Sequence, residues 1–467
     1  MTKNTRSAAS LISDLSTGRL SAAELMQDTL HRINDVNPKV NAIVAMRDAD
    51  DLMAEARAMD EGPRRGALHG IPIAVKDLAH VKGLTCTMGS PEYVGIISQA
   101  DDIVPARMRA AGAILIGKTN TPEFGLGSHT FNRVYGATLN PYQPALSCGG
   151  SSGGAAVALA TGMTSLADGS DMMGSLRNPA GWNNVYGLRP TWGLVPSDPD
   201  GDNFLDQLAT LGPMARSPED IAILLDAISG ADPYDPYSYD APPLAPLQPA
   251  EMSGKRIGWL GDWGGAMPME DGILAQSEQA LRVFEDLGAQ VDVLDSPFSA
   301  DAMWDAWIRL RSWQVAGGKT GTAYASGAPV KDTATWEVEH GFSLSAVDVH
   351  NASAVRSDWF RAVMKLFQQY DALVLPSAQV WPFDVNLPYP TQIAGVAMDT
   401  YHRWMQVVIP VSILGLPGLS VPAGFGAAGL PAGIQLFGPR NSDGVLLAMG
   451  QAYHNATQWP QQRPAMG

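Results

Sequence analysis

The sequence predicts an α/β protein built on a largely buried sheet. From Ala67 onward, short apolar runs such as Ile71-Pro72-Ile73-Ala74-Val75 and Ala113-Ile114-Leu115-Ile116 alternate with helical patterns. The alternation resumes later, with strand-like Arg256-Ile257-Gly258-Trp259-Leu260, a helical stretch from Gln276 to Leu287, and strand-like Gln290-Val291-Asp292-Val293-Leu294. Hydrophobic residues make up 45% of the 467, ample for at least one large core, although the length alone allows two or three domains.

The first helix is marked by a capping box, Ser21-Ala22-Ala23-Glu24, followed by Met26, Leu30 and Ile33 on one face. A second is marked by Ser217 as N-cap, Pro218 at the first helical position and Glu219-Asp220 in the first turn; Ile221, Leu224, Leu225 and Ile228 then follow helical spacing up to Gly230. From Ala231 to Glu251 stand Pro233, Pro236, Pro242, Pro243, Pro246 and Pro249, which forbid a long helix or a central strand. That stretch reads as a surface connection, either between two domains or between two halves of one sheet.

The 47 acidic residues against 31 basic give a net charge of −16, which repels nucleic acid and anionic lipid surfaces. Only two cysteines, Cys86 and Cys148, are present, so no disulfide framework is read and a reducing compartment is favoured. The polar start through Ala8-Ala9-Ser10-Leu11-Ile12-Ser13-Asp14 lacks a signal-peptide core. No apolar run approaches the ~18 residues of a membrane helix. A cytoplasmic protein is expected.

Gly112-Ala113-Ile114-Leu115-Ile116-Gly117-Lys118-Thr119 has the form of a phosphate-binding loop. Its four variable positions are strand formers, whose N–H groups a sheet would consume, and Pro122 interrupts the helix such a loop must feed. Nucleotide binding is rejected.

Three segments carry chemistry: Lys76 in Gly70-Ile71-Pro72-Ile73-Ala74-Val75-Lys76-Asp77, the cluster Gly149-Gly150-Ser151-Ser152-Gly153-Gly154, and Gly169-Ser170-Asp171-Met172-Met173-Gly174-Ser175-Leu176-Arg177. A nucleophilic serine needs a base within hydrogen-bond reach. The eight histidines show no metal-ligand spacing, and no G-x-S-x-G elbow exists for one to serve. A lysine can take the role where burial lowers its pKa, and Lys76 follows an apolar run that enters the core. Taken alone, Lys76 reads as a strand-end lysine paired with Asp77 or exposed to water, and the glycine-serine cluster as a flexible linker. The helix-like Ala155-Ala156-Val157-Ala158-Leu159-Ala160 that follows argues against a linker.

In order and separation these segments resemble the amidase signature family of serine hydrolases. The resemblance continues through Tyr370–Pro376 and Gly415–Pro422 and ends near Gly433–Pro439, so it covers nearly the whole chain. It implies a single domain over residues 1–467, an α/β/α sandwich around a large mixed β-sheet, with residues 231–251 joining two halves of it. It implies Ser175 as nucleophile, Ser151 as proton relay after a cis peptide bond, and Lys76 as base. Backbone N–H groups of Met172, Met173, Gly174 and Ser175 would form the oxyanion hole. Asp171 and Arg177 read as loop supports.

The chain departs from the family at Met173, where a glycine is usual; a side chain there requires a negative φ or strain absorbed elsewhere. The implied reaction is hydrolysis of a small-molecule amide through an acyl-enzyme, with no metal and no organic cofactor. Trp304, Trp307, Trp313, Trp336, Tyr401 and Trp404 either line a pocket, favouring an aryl or alkyl amide, anilide or carbamate, or fill the core. The alternatives are a glutamine-hydrolysing subunit of a tRNA-dependent amidotransferase and a non-catalytic binding protein on the same fold. A homodimer is left open.

Overall fold

Eleven strands build the two sheets that position the site in the computed structural model, which describes residues 3–198, 202–205 and 207–466. Of the polar start, Met1 and Thr2 lie outside the described residues. The strands are β1 (Ile43–Val44), β2 (Pro72–Lys76), β3 (Ile114–Thr119), β4 (Leu166–Asp171), β5 (Tyr186–Arg189), β6 (Thr210–Ala215), β7 (Arg256–Trp259), β8 (Gln290–Val293), β9 (Ala372–Pro376), β10 (Gly418–Phe425) and β11 (Pro431–Phe437). The larger sheet runs β8-β7-β9-β11-β10-β5-β6-β4. Its β8-β7-β9 end is parallel and the remaining pairs are antiparallel, so the sheet is mixed. Strands from before and after the proline-rich stretch thus share one sheet. Between residues 231 and 251 no helix or strand forms, as the prolines dictate.

Side-chain alternation along β9 shows how the sheet is covered. Ala372 and Val374 pack in one cluster with Ile221, Leu225, Phe284 and Leu446, from helices Pro218–Ile228, Ile273–Asp286 and Asp443–Thr457. Leu373 and Leu375 face the opposite way, into a cluster with Trp307, Leu310 and Trp359 from helices Ala300–Gly317 and Ala346–Leu366. Helices therefore cover both faces, giving the α/β/α sandwich expected. The Ser21 capping box is closed from both sides and starts helix Ala22–Val40. Ser217 caps its helix through a bond from Asp220 N–H.

A smaller sheet, β1-β3-β2, contains the rejected phosphate-loop segment: residues 114–119 are the buried central strand β3. Its edge strand β2 abuts β4, the edge of the larger sheet. The Lys76 N–H crosses that junction to donate to Asp168 Oδ1 at 3.0 Å. Two of the three segments singled out in the sequence are thereby brought side by side. No helix among the described residues is long and apolar enough to cross a membrane.

Candidate active site

All five residues of β2 are buried, and the strand delivers Lys76 to the interior at 2% exposure. Lys76 Nζ lies 2.8 Å from Ser151 Oγ, 2.9 Å from Ser152 Oγ and 3.0 Å from Ser170 Oγ. Burial lowers the pKa of the amine to about 7, against the opposing pull of Asp168 and Asp171. Near neutral pH the amine thus exists substantially in its unprotonated form, and three hydroxyls surround it.

The glycine-serine cluster is a packed turn. The Gly150–Ser151 peptide bond is cis. Helix Gly153–Ala160 begins directly after it and is buried along its whole length. A Cβ on Gly154 would collide with the backbone nitrogen of Asn120, so close packing onto β3 explains the glycine there. The Ser152 N–H donates to the Ser175 carbonyl oxygen at 3.2 Å, which fastens the two serine segments together.

The turn from Asp171 to Ser175 is held by the Asp171 carboxylate. Oδ1 accepts from Gly174 N–H at 2.8 Å and Oδ2 from Leu176 N–H at 3.1 Å. Arg177 binds both carboxylate oxygens at 3.0 Å, and Arg189 adds a contact to Oδ1 at 3.3 Å. Burial opposes the charge of Asp171, but the Arg177 and Arg189 guanidiniums outweigh it and hold the carboxyl well below the usual carboxylate range. Arg177 and Asp171 are fully buried, so the loop-support reading describes their contacts and leaves Arg177 no access to a substrate.

Gly174 has φ +77°, and a Cβ there would also come within 2.8 Å of Val408 Cγ1. Met173 is not among the residues of positive φ. The chain keeps glycine where the backbone is left-handed and carries methionine where it is not, so Met173 fits without backbone strain. The expected oxyanion donors need one correction: Gly174 N–H is already taken by Asp171. The N–H groups of Met172, Met173 and Ser175 donate to no group among the described residues. Ser175 Oγ also makes no hydrogen bond among them, and Ser175 is 7% exposed.

Ser151, Ser170 and Ser175 open onto one cavity of about 140 Å³, whose apolar walls include Leu78, Phe124, Leu126, Met172, Met173 and Met405. No histidine among the described residues lines it. Of the six aromatic residues held open between pocket and core, none lines it either. Trp304, Trp307 and Trp404 are core residues, Trp336 is 38% exposed, and Trp313 borders a separate groove. Tyr401 stands outside the lining and accepts a hydrogen bond from Arg311 Nη2.

The sequence reading missed the Ser152 and Ser170 contacts to Lys76, and it missed Arg311. This arginine projects from helix Ala300–Gly317 into the cavity at 3% exposure. Its Nε donates to Glu337 Oε1 at 2.7 Å and its Nη2 to Tyr401 Oη at 2.9 Å. Tyr401 Oη in turn donates to Glu337 Oε1 at 2.7 Å. A signal for Arg311 was present: it sits four residues after Trp307 and four before Val315, on the buried stripe of an otherwise apolar helix face.

The Amidase family pattern matches residues 24–447. The chain is 32% identical to an acylamidase of Rhodococcus erythropolis, over 98% of this chain and 97% of the relative. It is 34% identical to a glutamyl-tRNA(Gln) amidotransferase subunit of Cyanothece sp., over 96% of this chain and 97% of that one. Among solved structures, a bacterial aryl acylamidase of the amidase signature family superposes with a TM-score of 0.90 at 28% identity, over 98% of this chain and 99% of the other. Sequence pattern, relatives and fold agree across nearly the full length, and the chain belongs to the amidase signature family.

Proposed function

We propose that this amidohydrolase of the amidase signature family cleaves the C–N bond of a small, uncharged amide, such as an aryl or alkyl amide, anilide or carbamate, through an acyl-enzyme on Ser175. The observation that carries this reading is a buried lysine, with its pKa near 7, bonded to Ser151 at the edge of a cavity that also holds an unengaged Ser175 hydroxyl. Ser175 Oγ attacks the carbonyl carbon; its proton passes to Ser151 Oγ while the Ser151 proton passes to the neutral Lys76 amine. The carbonyl oxygen, now negative, is met by the free N–H groups of Met172, Met173 and Ser175. The proton then returns through Ser151 to the leaving nitrogen, the C–N bond breaks, and water enters by the same relay to release the acid.

Apolar walls favour a substrate with apolar flanks. The guanidinium of Arg311 is balanced by Glu337, so the cavity offers no net counter-charge to the charged groups of free glutamine. This favours a stand-alone amidase over the glutaminase subunit. A backbone at Met173 outside the left-handed region weighs against the non-catalytic reading. The test is product release from a nitroanilide, an aryl carbamate, a primary carboxamide and glutamine, with wild type and Ser175→Ala. Turnover of at least one uncharged member, lost on the order of 10⁴-fold or more in Ser175→Ala, is expected. Equal rates in the two proteins would refute the nucleophile, and turnover of glutamine alone would favour the amidotransferase reading.

A further inference from the structure

Among the described residues, Arg311 is the cavity's one charged lining residue, and its hydrogen bonds are incomplete on the cavity side. A guanidinium has five N–H donors. Nε and Nη2 are engaged by Glu337 and Tyr401. Nη1 has a single partner, the thioether sulfur of Met172 at 3.5 Å, which is a weak acceptor. Met172 itself lines the cavity and stands in the turn that leads to Ser175.

A structural arginine in an apolar wall would have its donors spent on oxygen acceptors, as Arg177 has on the Asp171 carboxylate, the Val408 carbonyl and the Ser412 hydroxyl. Arg311 instead has one end clamped by Glu337 and Tyr401, which fixes its direction, and the other end facing the space where substrate sits. The pair with Glu337 cancels its charge. An added carboxylate would leave the buried group with a net negative charge, whereas a neutral oxygen acceptor completes Nη1 without that penalty.

We infer that Arg311 is a specificity residue that selects amides carrying a second, uncharged carbonyl-type oxygen, which accepts from Nη1 in place of the Met172 sulfur. This rests on the amidase reading and narrows it. The substrate class becomes a diamide or an N-acylamino amide, with one carbonyl reacting at Ser175 and the other held at Arg311.

Two matched pairs test it. N-acetylglycine 4-nitroanilide against pentanoyl 4-nitroanilide varies the acyl side, and N-butanoylglycinamide against N-propylbutanamide varies the amine side. Binding to Ser175→Ala is measured by calorimetry, and turnover with wild type. At least one oxygen-bearing member should bind tenfold or more tightly than its partner and show a matching gain in kcat/KM. The double variant Arg311→Met, Glu337→Gln removes both charges together, so that neither is left buried alone. It should lose the preference, read as the ratio between the two members of each pair. Turnover with no binding preference in either pair, or a preference that survives the double variant, overturns the role of Arg311 and leaves the amidase reading standing. A binding preference lost in the Arg311→Met, Glu337→Gln, Ser175→Ala protein, without wild-type turnover, supports Arg311 and counts against the amidase reading.

Discussion

Lys76→Met is expected to lose on the order of 10⁴-fold in kcat/KM, because Ser151 then has no base to receive the proton it relays. Wild-type kcat/KM should rise with pH through a midpoint near 7, the value at which the buried amine becomes neutral. The same substitution changes stability in a direction set by linkage. Lys76 binds its proton more weakly folded, at about 7, than at the ordinary value of 10.5, so between those two values the unfolded chain holds more protons. The wild type therefore loses stability as pH falls from about 10.5 to about 7, and nothing further is lost from this group below that. Unfolding free energies of Lys76→Met and wild type should diverge in favour of the variant as pH falls through that window, by on the order of a few kcal/mol. Parallel pH dependences of the two proteins would show that the amine is not perturbed, and near-normal turnover in Lys76→Met would refute the lysine base.

Asp171→Ala is expected to reduce folding stability by about 3–5 kcal/mol, since it leaves the buried Arg177 and Arg189 guanidiniums without their anion. It also frees the Gly174 and Leu176 N–H groups that the carboxylate holds, so the turn presenting Ser175 loses its internal brace. Asp171→Asn keeps an acceptor for part of that network and should fall between the two. Denaturant unfolding followed by tryptophan fluorescence reads the stability, and the amide panel reads the turn. An Asp171→Ala protein as stable as wild type would mean that the buried ion pairs do not hold the loop.

The parts of this molecule legible in the sequence are those encoded by local chemistry. The Ser21 and Ser217 caps, the proline run from Pro233 to Pro249, and the strand-forming Ala-Ile-Leu-Ile of the rejected phosphate loop each constrain their own backbone, and each took the expected form. Lys76, Ser151 and Ser175 were singled out because their segments, in order and separation, resemble those of the amidase signature family. What was not legible depends on how distant segments pack. Ser152 and Ser170 looked like ordinary members of their clusters until the junction of β2 with β4 set both against Lys76 Nζ. Gly174 N–H was assigned to the oxyanion because a motif does not reveal that Asp171 folds back onto it. The tryptophans of helix Ala300–Gly317 were ambiguous because helical spacing marks a buried stripe without saying whether core or cavity lies opposite. The arginine on that same stripe was the informative residue.

In the proposed mechanism Ser175 carries the acyl group and is activated through Ser151 by Lys76. This mechanism is tested most directly by reaction with a serine-directed sulfonyl fluoride, followed by peptide mass mapping in wild type and Lys76→Met. One modified site, Ser175, is expected in wild type, with amide hydrolysis lost in proportion to labelling, and labelling slowed on the order of 10²-fold or more in Lys76→Met. Modification at another serine with hydrolysis lost, or an unmodified Ser175 in a protein that still turns over amides, would contradict it.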